Sequence, residues 1–104
     1  MEQLLLGILT GKQKRYLRAL AHQLKPVVQI GKHGLSAEIQ WYIDRQLLDH
    51  ELIKVRVLNS SPRDCSQCAR ELETDSVLNV TQVIGKTLVL YRPHPEKPTI
   101  QLPK

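Results

Sequence analysis

Residues 20–36, LAHQLKPVVQIGKHGLS, run through a helix end, a strand, a glycine-bracketed loop and a helix start. Lys25-Pro26 closes the first helix, because the residue before a proline is pushed out of the helical region. Val27-Val28-Gln29-Ile30 then reads as a short strand. Gly31 and Gly34 bracket a tight loop, and Ser36 offers its hydroxyl as the cap of a second helix. Strands that alternate with helices imply crossover connections and therefore an α/β fold.

Upstream, Thr10 followed by Gln13 is a capping-box pattern. Leu17, Leu20, Ala21 and Leu24 recur at the spacing of one helical face, while Lys12, Lys14, Arg15 and Arg18 fall largely off it. Downstream, Ile39, Ile43 and Leu47 form the inner face of the second helix. In residues 52–58, Ile53, Val55 and Val57 alternate with Lys54 and Arg56, the mark of a strand with one buried face. Ser61, Pro62 and Asp64 suit the N-cap, N1 and N3 positions of a third helix that buries Cys65, Cys68, Ala69 and Leu72. Residues 80–84 and 87–91 form a hairpin around Gly85-Lys86, whose leading glycine suits a type II′ turn. The expected order is α-β-α-β-α-β-β in one compact domain, with helices packed on a mixed four-stranded sheet. Residues 9–93 make up the domain. Residues 1–8 are a short extension, and residues 94–104, with Pro95, Pro98 and Pro103, are an extended tail in which residues 100–102 are candidates to dock.

The 104 residues can bury roughly two-thirds of their unfolded surface, enough for a core without disulfide or metal. The net charge is +5, and all of it lies in residues 1–34, where six basic residues face the single acid Glu2. Residues 35–104 balance nine against nine. Polyanion-binding proteins often concentrate charge in this way, although a solvated face is the plainer alternative. Tyr16, Trp41, Tyr42 and Tyr91 are the only aromatics, too few for a protein that stacks base after base along a single strand. The apolar run near the N-terminus is too short for a membrane span and lacks the basic start of an export signal. With two cysteines and no export signal, a reducing, cytoplasmic location is expected.

Gly31-Lys32-His33-Gly34 between a strand and a helix is a candidate phosphate-contacting loop. Glycines allow close backbone approach, and a helix N-terminus adds free N–H donors. The KH domain clamps about four nucleotides with a GXXG loop of this kind. By itself the pattern more often marks only a tight turn. It gains weight by following directly on the segment that carries Lys12, Lys14, Arg15, Arg18 and Lys25. Lys54, Arg56 and Lys86 are a second possible footprint.

Cys65 and Cys68 have the CxxC spacing of a redox pair. They also share the apolar stripe of their helix, and a cap at Ser61 would set Cys65 a full turn inside it, away from the donors that lower a thiol pKa. Burial in the core is the favoured expectation. No second CxxC and no paired histidines complete a zinc site. Gly85-Lys86-Thr87 lacks the earlier glycine of a P-loop, Val80 standing in its place. Asp49-His50-Glu51 are contiguous at a helix end and point apart. No nucleophile, base and orienting acid are recognisable, so no enzyme and no cofactor are expected.

Four ordered blocks resemble the CRM domain family (chloroplast RNA splicing and ribosome maturation) in its stand-alone bacterial YhbY-like form. They are residues 9–15 (LTGKQKR), 20–35 (LAHQLKPVVQIGKHGL), 50–55 (HELIKV) and 82–93 (QVIGKTLVLYRP). The resemblance implies a fold similar to the C-terminal domain of translation initiation factor three. It also implies RNA binding and association with precursors of the large ribosomal subunit; a monomer is expected. Family contacts at the glycine loop carry over to Gly31, Lys32, His33 and Gly34, and by proximity to Lys12, Lys14, Arg15, Arg18 and Lys25. Cys65 and Cys68 lie outside the family pattern, and Thr81 stands where an apolar residue is common. Binding to DNA, or redox work by the cysteine pair, are the competing functions.

Overall fold

In the computed structural model, residues 9–104 are described, and the expected extension 1–8 lies outside them. Helix α1 (Gly11–Ala21) leads to strand β1 (Pro26–Ile30), helix α2 (Ala37–His50), strand β2 (Leu52–Val57), helix α3 (Cys65–Asp75) and the hairpin β3 (Asn79–Ile84) and β4 (Thr87–Tyr91). The order is the one expected. The sheet runs β1-β2-β4-β3, with β1 parallel to β2 and β4 antiparallel to both of its neighbours.

The alternation in β2 sets the two faces of the sheet. Ile53, Val55 and Val57 turn inward with Val28, Ile30, Leu88 and Leu90 beneath α2 and α3. On the reverse face, Leu52, Val89 and Tyr91 pack under Leu17 and Ala21 of α1, joined by Leu9, Ile100 and Leu102. The tail segment 100–102 thus docks as expected, and full burial of a residue such as Leu17 contributes about 1.5–3 kcal/mol. Burial pushes the Tyr91 hydroxyl up to about 12, and the Glu51 charge adds to the shift. Thr81 is buried on β3, where its hydroxyl donates to the Val89 carbonyl at 3.3 Å. That bond explains how a polar residue occupies an apolar place.

Thr10 and Gln13 form the capping box of α1, and Ser36 caps α2 through the Ile39 N–H. Gly85 has φ of +55° and Lys86 is not in the left-handed region, as the expected hairpin turn requires. Two boundaries differ from expectation. Helix α1 stops at Ala21, so Leu24 lies outside it, and Leu20 and Leu24 remain 39% and 38% exposed. Proline restricts only Lys25 before it and leaves residues 22–24 free to turn, with Leu24 N–H donating to the Ala21 carbonyl.

The second difference is the start of α3. Asp64, not Ser61, is its N-cap, in a capping box with Gln67. The Ser61 hydroxyl is occupied within the preceding loop, donating to the Arg63 carbonyl at 2.7 Å and accepting from the Arg63 N–H. Cys65 is therefore the first helical residue and not a full turn inside.

Glu51 had no sequence signal for its role. It follows α2 with φ of +66°, a place usually taken by glycine. Its buried carboxylate accepts the backbone N–H groups of His94 (2.6 Å), Thr99 (2.9 Å) and Ile100 (2.9 Å), and the Thr99 hydroxyl. Burial raises its pKa, but these donors outweigh burial and hold it below the ordinary glutamate value. The tail then continues to Pro103, whose carbonyl accepts from the Gln13 side chain at 3.0 Å.

Candidate nucleic-acid interface

The chain leaves β1 at Ile30, whose side chain is fully buried and whose carbonyl accepts from the Leu58 N–H at 2.9 Å. Gly34 N–H then donates to the Gly31 carbonyl at 2.9 Å, closing a four-residue turn with Lys32 and His33 exposed at its tip. Gly34 has φ of +63°, and a β-carbon on it would meet Pro62 Cγ at 3.2 Å. A β-carbon on Gly31 would meet Ser60 Oγ at 3.6 Å and Leu58 Cδ1 at 3.7 Å. Both glycines therefore face the protein's own segment 58–62. At Gly34 the left-handed backbone and the close approach of Pro62 call for glycine, whereas a β-carbon at Gly31 would meet only ordinary contacts, and Lys32 and His33 are the residues exposed at the tip. Ser36 and Glu38 occupy the start of α2 next to the turn.

Helix α1 lies on the opposite face of the sheet from α2 and covers the end away from the turn, over Leu52 at the start of β2 and Tyr91 at the end of β4. Lys12, Lys14, Arg15 and Arg18 are all exposed. With 3.6 residues per turn and Leu17 facing inward, Lys14 and Arg18 share one flank and Arg15 sits on the outer ridge. Toward the turn, the same face of the sheet is left open. Lys54 pairs with Val89, Arg56 with Thr87 and Gln29 with Arg56, so all three side chains share the α1 face. Arg56 and Gln29 are exposed and Lys54 is half-buried. Gln29 is two residues from Gly31, so this strip links the turn to the face that carries α1.

Of the expected site residues, Gly31, Lys32, His33 and Gly34 form one turn, and Lys12, Lys14, Arg15 and Arg18 form one basic helix surface. Lys25 is not brought to the turn. It precedes Pro26 at the far end of β1, roughly 20 Å away along an extended strand. There it lines an apolar groove with Leu20, Leu24 and Val27. Lys54 and Arg56, expected with Lys86 as an alternative footprint, instead share this strip with Gln29, the one member that the sequence did not single out.

Cys65 and Cys68 are free thiols, 8% and 1% exposed within the main core. Burial pushes both thiol pKa values up, despite the position of Cys65 at the helix start. That environment suits packing and opposes thiolate chemistry. Among the described residues no group of three or more His, Cys, Asp or Glu could hold a metal ion, and no helix is long and apolar enough to cross a membrane.

The chain is similar to proteins named for RNA binding and not for a reaction. It is 43% identical to the "Probable RNA-binding protein YqeI" of Bacillus subtilis, over 92% of this chain and all of that one. It is 40% identical to the "RNA-binding protein" of Haemophilus influenzae, over 92% of this chain and 96% of the other. The solution structure of a hypothetical protein from Staphylococcus aureus, itself suggested to bind RNA, matches 92% of this chain and all of its own with 45% identity and a TM-score of 0.76. The CRS1/YhbY (CRM) domain model matches residues 9–92, and the chain belongs to that family.

Proposed function

We propose that this chain binds folded RNA without catalysing a reaction, as a cytoplasmic, monomeric assembly factor for the large ribosomal subunit. The observation that carries this role is the shared sheet face. Exposed Arg56 and Gln29, with half-buried Lys54, connect the Lys32-His33 tip to the basic surface of α1. Cations along such a path neutralise phosphates in succession, and this grips a backbone without reading base sequence. Lys32 and His33 hold the strand at the turn. The seating of Gly31 and Gly34 against residues 58–62 keeps that tip fixed, so little order is lost on binding.

Fluorescence anisotropy with a labelled RNA hairpin and a matched DNA duplex tests the ligand class. Tighter, salt-sensitive binding of the RNA is expected, and equal or stronger binding of the duplex would favour the DNA alternative. Crosslinking in cell extract followed by sequencing tests the assembly role. Recovery of RNA without enrichment of large-subunit precursors would remove that part of the proposal.

A further inference from the structure

Behind the glycine turn, on the α2/α3 side of the sheet, lies an open cleft of about 590 Å³. It is bounded by segment 58–64, the start of α3 and the Gly85-Lys86 turn. Pro62, which lies against Gly34, is part of its wall, so cleft and turn share one structural element. The volume falls within the roughly 300–1,000 Å³ of small-molecule sites.

The chemistry of the cleft is divided. Val57, Leu58 and Val83 provide an apolar floor, and Val83 is 43% exposed although its partner across the hairpin, Leu88, is fully buried. The rim carries neutral hydrogen-bonding side chains, Asn59 and Ser66, and the ammonium of Lys86. Other charges nearby are already engaged. The Asp64 carboxylate accepts the Gln67 N–H at 2.9 Å, and the Arg63 guanidinium pairs with Glu71. Lys86 has no ion-pair partner among the described residues, and its backbone carbonyl is held by the Val57 N–H at 2.7 Å, which fixes the turn beneath it.

We propose that this cleft accepts one unstacked nucleotide of the bound RNA, an assignment that rests on the RNA-binding role above. The base lies on Val83 and Leu58, its edge meets Asn59 and Ser66, and its phosphate meets Lys86. RNA loops present splayed-out bases of this kind, and an apolar floor with a few polar groups on the rim suits a flat ring with a polar edge. The cleft would thereby add base recognition next to a turn that touches only backbone.

Amide NMR spectra of the wild-type chain, titrated separately with each common ribonucleoside monophosphate, test the cleft without any variant. Saturable shifts at Ser66, Gln67, Gly85 and Lys86, unequal among the bases, are expected. Absence of shifts there overturns the proposal. A second measurement uses Ser66→Trp, which fills the cleft and leaves the net charge unchanged. Affinity for the RNA hairpin should fall about fivefold to tenfold, the scale of losing one small apolar contact, and the salt slope should flatten by about 0.7 as the phosphate contact at Lys86 is lost. A variant that melts like the parent and binds the hairpin equally well overturns the cleft and leaves the RNA-binding role standing. If the parent itself ignores the hairpin, the role fails, and the monophosphate titration still decides the cleft.

Discussion

Gly34 and Pro62 are in contact across two loops that are 28 positions apart in the chain, with only 3.2 Å between Pro62 Cγ and the place a Gly34 β-carbon would take. The left-handed backbone at Gly34 adds a second reason for glycine. Gly34→Ala should therefore cost roughly 1–3 kcal/mol of stability, from backbone strain and a tight contact together. Gly31→Ala meets only ordinary contacts and should cost under about 1 kcal/mol. Urea denaturation of the two variants checks the contrast, and equal stabilities would show that the turn is not seated as described.

Phosphate neutralisation should appear in the salt dependence of RNA binding. Replacing Lys12, Lys14, Arg15 and Lys32 with Ala should flatten the log–log slope by about three, at ~0.7 per lost contact on single strands. Arg56→Gln alone should flatten it by about 0.7. A slope untouched by Arg56→Gln would separate the turn from helix α1 and leave two unconnected patches.

The Glu51 carboxylate gathers three backbone donors and a hydroxyl from the tail, so Glu51→Ala leaves several of them without a partner. A loss of about 2–3 kcal/mol is expected, with faster hydrogen exchange at His94, Thr99 and Ile100. Because the folded-state pKa lies below the ordinary value of 4.5, ionised Glu51 contributes stability above that pH. That contribution disappears as pH falls through the lower folded value. Stability measured from neutral to acidic pH should show a smaller acid-induced loss in Glu51→Gln than in the parent.

Cys65 and Cys68 are packed in the main core with raised thiol pKa values. Native-state labelling by a thiol reagent should be slow, and become fast in denaturant. Replacing both with Ala should cost about 1–2 kcal/mol in total and leave RNA affinity unchanged. Lost affinity in a folded double variant would mean that the pair has a functional role.

Local chemistry made most of the fold legible. Thr10, Gln13 and Ser36 announced two helix starts, and the alternation from Ile53 to Val57 separated the two faces of the sheet. Ser61 misled because its hydroxyl can cap a helix or fold back on its own loop, and only the position of Arg63 decides which. Glu51 was illegible because its partners lie more than 40 residues away, beyond any periodic signal. The site was legible as a list of charges and not as a surface. Lys25 precedes the strand and Lys32 follows it, and the length of β1 puts them at opposite ends. Lys54 and Arg56 were legible as an alternative footprint, and only strand register showed that they share a face with Gln29 and helix α1.

Strand β4 lies between β2 and β3 although it is the last of the four in the chain. During synthesis, β1 and β2 can pair early, but β3 has no neighbour until residues 87–91 have emerged. Until then, β2 and β3 each present an unpaired edge that other chains could join. The sheet therefore cannot be completed before β4 is available, so a stop codon or frameshift before Tyr91 should yield an aggregation-prone fragment and not a shortened domain.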